Sequence, residues 1–134
     1  MADVSVTAAN VKPTSTAIVQ NVTYGEAVTQ GQPVYLSSGK YYKADANASA
    51  TAAAAVGIAL TPGSTDEFGI IATGGTIDVG GTLAVGRVYV VSATAGGIAP
   101  SADLSTGHYV TTLGVATAAN RLLLNVKVSG VQYA

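Results

Sequence analysis

The chain has no cysteine and no tryptophan, and only one histidine and one phenylalanine. Without cysteine, disulfides, thiolate catalysis and Cys-ligated zinc are excluded. A single histidine excludes a multi-histidine metal site within one chain. Charge is scarce too: Asp, Glu, Lys and Arg make up 10% of the 134 residues, against about 25% in an average domain. Six Lys and Arg face seven Asp and Glu, for a net charge of −1. The basic face of a nucleic-acid binder is therefore not expected. Long apolar runs are missing as well. The longest, Ala52 to Leu60, has nine residues and contains Gly57, well short of the roughly 20 that span a bilayer, so no membrane partner is expected. The first residues, Met-Ala-Asp-Val, show neither the positive n-region nor the h-region of a secretion signal.

What is abundant is small or β-branched: 24 Ala, 18 Val, 16 Gly, 16 Thr and 10 Ser. This composition opposes a helical bundle or a coiled coil and favours short strands joined by tight turns. The length suits one domain. Strands are predicted at 18–23, 33–36, 41–44, 55–60, 68–73, 76–79, 87–91, 109–116 and 122–128. The pair around Ser37-Ser38-Gly39-Lys40 reads as a hairpin. Gly74-Gly75 and Gly80-Gly81 read as turns that need positive φ, and the Ala-rich stretch 45–54 reads as a loop. Turn signals recur at the spacing of a small all-β sandwich or barrel of about eight to ten short strands.

Residues 1–17 differ from the rest. Val4, Val6 and Val11 are their only large apolar side chains apart from Met1, and Pro13 interrupts the stretch after them. The segment reads as an extended arm ahead of a compact β domain at 18–134, and Val4, Val6, Val11 and Pro13 form a candidate docking set. Within the domain, the segment 28–60 resembles 83–118. Val28, Gly31, Val34 and Tyr35 align with Leu83, Gly86, Val88 and Tyr89, and Val56-Gly57-Ile58-Ala59 aligns with Leu113-Gly114-Val115-Ala116. Two related β units on one core account for this. Tyr35 and Tyr89 are expected to anchor it.

Catalytic candidates fail one by one. Ser101, Asp103, Ser105 and His108 lie close in sequence, but a triad needs a nucleophile held against an oriented base, and no Gly-x-Ser-x-Gly elbow exists. A polar turn is the better reading. Asp66 and Glu67 are adjacent, whereas a glycosidase pair faces across a cleft about 5–10 Å wide. The glycine pairs lack the Lys and the following helix of a phosphate loop. Asn21-Val22-Thr23 and Asn47-Ala48-Ser49 match the glycosylation pattern but carry no weight without a secretion signal. No enzyme activity, metal or cofactor is expected. Tyr41 and Tyr42 are consecutive in a strand, so one must face away from the core, and an outward Tyr is a candidate interface anchor.

The run Gly25-Glu26-Ala27-Val28-Thr29-Gln30-Gly31-Gln32-Pro33-Val34-Tyr35-Leu36, then Gly39-Lys40, Lys43-Ala44-Asp45-Ala46 and Ala55-Val56-Gly57-Ile58-Ala59-Leu60, resembles small phage capsid cement (head decoration) proteins. Thr76–Gly81, Gly86-Arg87-Val88-Tyr89-Val90-Val91-Ser92, Gly96-Gly97-Ile98 and Leu113-Gly114-Val115-Ala116 extend the resemblance to most of the chain. It implies a bacteriophage structural protein, made in the host cytoplasm, on the outer capsid surface of an expanded icosahedral virion head. Its implied partners are the major capsid protein and itself, as a homotrimer at three-fold positions, with an N-terminal arm contacting the shell. No catalytic residue comes with the resemblance. A phage tail or fibre module recognising a host-surface glycan is the competing expectation. Such a module usually displays several exposed aromatics, and the absence of Trp weighs against it.

Overall fold

The computed structural model describes residues 3–133. Ten strands form one antiparallel sheet that curls into a half-barrel. They are β1 (Val11–Pro13), β2 (Ile18–Thr23), β3 (Pro33–Ser37), β4 (Lys40–Lys43), β5 (Ala55–Ala59), β6 (Phe68–Val79), β7 (Val88–Val91), β8 (Ile98–Pro100), β9 (Tyr109–Ala118) and β10 (Arg121–Gln132). The spatial order is β4-β3-β5-β6-β10-β9-β7-β8, with β1 and β2 both paired to β6. The all-β expectation is met, although β6 and β10 have 12 residues each and are not short strands.

Three local expectations are corrected. Gly74-Gly75 is not a hairpin turn, because β6 runs through it. Gly75 takes φ +76°, and a Cβ there would lie 2.0 Å from the Thr16 carbonyl oxygen. The glycine admits the backbone that crosses the strand, a close approach with the same sequence signature as a turn. Residues 45–54 are not all loop: Ala50–Ala53 form a one-turn helix, α1, whose N-cap Ser49 Oγ accepts from the Ala52 N–H at 3.0 Å. The third correction concerns the arm. Residues 3–13 lie along the domain, where the Val4 N–H donates to the Ile98 carbonyl and the Thr7 N–H to the Gly80 carbonyl, each at 2.7 Å. β1 then pairs with the end of β6, Val11 opposite Val79. Gly80 and Gly81 leave room for this passage, since side chains there would meet the carbonyls of Thr7 and Ser5 at 2.5 and 2.6 Å.

The ladder itself is duplicated. Pro33 faces Ile58 and Val34 faces Gly57, then a register shift puts Tyr35 opposite Ala55. In the second half Val88 faces Val115 and Tyr89 faces Gly114, then a shift puts Val90 opposite Thr112. The Gly31 N–H donates to Ala59 and the Gly86 N–H to Ala116, both at 2.8 Å. This register aligns Val34 with Tyr89 and needs no gap. β6 serves both halves: Val22 and Thr23 of β2 face Gly69 and Phe68 at its start, as Ile77 and Asp78 at its end face Leu122 and Arg121 of β10. Two clusters of apolar side chains form, and the larger draws on both halves, with Ile58 and Leu60 beside Leu113 and Leu122. Val22, Tyr24, Val28, Val34, Tyr41, Ala59 and Ile71 fill the smaller. The larger, around Ile77, Tyr89, Ile98, Leu113 and Leu122, includes Val11. Burying such side chains, at roughly 1.5–3 kcal/mol each, supplies the fold's main stabilisation.

Candidate functional surface

The candidate docking set is only partly on the surface. Val11 is 7% exposed and belongs to the core, so it is removed from any docking role. Val4 and Val6 are half-buried and pack against the same cluster, while Pro13 is exposed at the end of β1. The cause is the pairing with β6, a partner more than sixty residues away in sequence.

The consecutive tyrosines divide as strand geometry requires. Tyr41 points inward, is buried, and its hydroxyl accepts from Gln20 Nε2 at 3.0 Å. Tyr42 points outward and half-buries itself over Gly25, where a Cβ would lie 2.3 Å from its ring. Its ring centroid is 5.8 Å from that of Tyr35. Tyr35 is thus half-buried and packs against the larger core cluster, of which Tyr89 is a buried member. The central aromatic of the first half is Tyr24, fully buried, which sequence reading passed over because it follows β2 in a turn. Burial raises its pKa above the ordinary tyrosine value, and the Thr61 side chain opposes that rise in part; the phenol hydroxyl itself donates to the Thr61 carbonyl at 2.7 Å.

The polar clusters are occupied by turn structure. His108 Nδ1 accepts from the backbone N–H of Ser105 at 3.2 Å, so their contact does not use the Ser105 hydroxyl. Ser101 and Asp103 sit on a single 3-10 turn beside a cleft of ≈ 370 Å³. At that cleft the Ser92 hydroxyl donates to Asp3 at 2.6 Å. Asp66 pairs with Lys40, which raises the lysine pKa through the hydrogen bond and the charge. Glu67 Oε1 accepts from the Ser64 N–H at 2.6 Å, closing the turn before β6. Among the described residues, no group of three His, Asp or Glu is placed to hold a metal ion. Nor is any helix among them long and apolar enough to cross a membrane.

Two groups of exposed apolar side chains lie at the outer face of the sheet, apart from others such as Leu36, Val56 and Val131. Phe68, the only phenylalanine, is 85% exposed. With Ile70, Pro62, Thr61 and Asn21 it borders a groove of ≈ 660 Å³, and the exposed Ile18 and Val19 lie on the neighbouring β2. On the other half, Leu123 faces Val115, and Val115 faces Val88, in one row across β10, β9 and β7. Leu123 and Val115 are exposed and Val88 is partly so. Strand alternation announced these positions, 68 and 70 on one strand and 121 and 123 on another. With apolar residues on both faces of each strand, however, it did not say which face is outward. No family model and no curated protein matches the chain.

Proposed function

We propose that the chain is a structural virion protein, a capsid decoration protein that binds the outer surface of an expanded phage head and stabilises it. The observation that carries the reading is the run Gly25–Leu36 with its later companions and its resemblance to small capsid cement proteins. Two features are in keeping with it. The small all-β domain leaves large apolar side chains such as Phe68, Ile18 and Val131 in contact with water, as a surface that works by contact does. The polar side chains that invite a hydrolase reading hold turns instead.

In this reading the N-terminal segment is part of the domain wall, so docking falls to the exposed faces rather than to a free arm. A ligand that binds only the assembled shell stabilises it by mass action, about 2.7 kcal/mol per site at a hundredfold excess over Kd. Heads stripped of the protein should rupture at lower temperature, and re-addition should restore the decorated value. Stripped and decorated heads that rupture at the same temperature would sink the reading.

A further inference from the structure

We propose that this protein associates with further copies of itself head to tail, the Phe68–Ile70 groove of one copy seating the Val88–Val115–Leu123 row of the next. The outward Ile70 and Leu123 occupy equivalent places in the duplicated ladder, whereas Val88 and Val115 match Pro33 and Ile58, which are buried. Ile70 lies beside the Val22–Gly69 and Thr23–Phe68 pairs, as Leu123 lies beside the Ile77–Leu122 and Asp78–Arg121 pairs. Equal ladder positions give both the outer face of the sheet and a related backbone curvature, and different side chains then make them unlike. The first half places an aromatic ring over a groove. The second half offers an apolar row with Arg121 where the first has Phe68.

Charge selects the pairing. Residues 18–74 hold two lysines against four carboxylates, whereas residues 75–133 hold three Arg and Lys against two. Locally, Glu67 is exposed next to Phe68, and Arg121 and Lys127 are exposed on the strand that carries Leu123. Groove on groove joins two rims that carry Glu67, and row on row joins two rims on which Lys12, Arg121 and Lys127 outnumber Asp78, both unfavourable in a water-poor contact. Groove on row joins opposite signs around an apolar centre, the arrangement in which a buried aromatic acts as anchor. Such a contact is heterologous, so it closes into a ring or runs on as a filament. The inference concerns the free protein and is independent of the capsid reading.

Sedimentation of wild type, Phe68→Asp, Leu123→Asp and their equimolar mixture tests it, with far-UV circular dichroism and urea midpoints confirming that both variants fold. Wild type should sediment above monomer mass and each variant alone as monomer. The mixture should form a one-to-one dimer and nothing larger, because only one intact groove and one intact row remain between the two chains. Monomeric wild type, continued association of either variant, or a mixture that stays monomeric overturns the proposal. If an Asp variant misfolds, charge reversal decides: Glu67→Lys should weaken association and adding Arg121→Glu should restore it. A double variant as weak as the single overturns the pairing.

Discussion

Val11→Ala separates a segment built into the sheet from a free arm. Val11 faces Val79 across β1 and β6 and is 7% exposed within the larger core cluster. Removing two methyl groups loses about 1.6 kcal/mol of transfer free energy at ~0.8 kcal/mol per carbon. The space left behind raises the cost to about 2–2.5 kcal/mol. For a domain of this length that lowers Tm by about 7 °C. Val19→Ala is the control, because Val19 is 52% exposed on β2 and should change stability by no more than about 0.5 kcal/mol. Equilibrium urea unfolding gives both values on the same protein, and an unchanged slope certifies that the midpoints compare like with like. A Val11→Ala shift no larger than that of Val19→Ala would refute the reasoning and return residues 3–13 to the status of a detached arm.

Three further expectations concern Tyr24. Gly69→Ala places a Cβ 2.3 Å from the Tyr24 ring and should cost about 1–3 kcal/mol by overpacking. Combining Tyr24→Val with Gly69→Leu copies Val79 and Leu122, which stand at the equivalent places of the second half and belong to one core cluster. It should cost at least about 1 kcal/mol less than the two single changes together, and strict additivity in urea unfolding would contradict the packing equivalence. Because burial raises the Tyr24 pKa, the folded protein keeps this phenol neutral where the unfolded chain ionises it. Its contribution is complete below the ordinary tyrosine value and is lost as pH rises past about 10. Tyr24→Phe should therefore cost about 1 kcal/mol at neutral pH through the lost hydrogen bond. The gap to wild type should narrow in alkaline solution, and a gap independent of pH would argue against the assignment.

The strands whose signals are local were legible: Ile18–Thr23 matches its predicted span, and the β3–β4 hairpin turns at Ser38-Gly39, both with positive φ. Where the deciding partner is distant, the sequence was silent. Gly75 reads as a turn until Thr16 is known to cross it. Val11 reads as part of an extended arm until Val79 is known to receive it. The candidate site divides along the same line. Which of Tyr41 and Tyr42 points inward depends on curvature, and so does the outward setting of Phe68 and Leu123, since both faces of those strands carry apolar residues. The ladder duplication was visible as matched Gly and Val positions, but its register needed the hydrogen bonds of Gly31 and Gly86.

The proposed role is tested most directly by an electron cryomicroscopy reconstruction of the virion into whose density this β domain is fitted. The account predicts the domain on the outer face of the expanded head, touching the major capsid protein through exposed apolar side chains such as Phe68, Ile18 or Leu123, with residues 3–13 still lying along the domain and β1 paired to β6 in the same copy. Density for the domain confined to the tail or its fibres, or a head surface without it, would contradict the account.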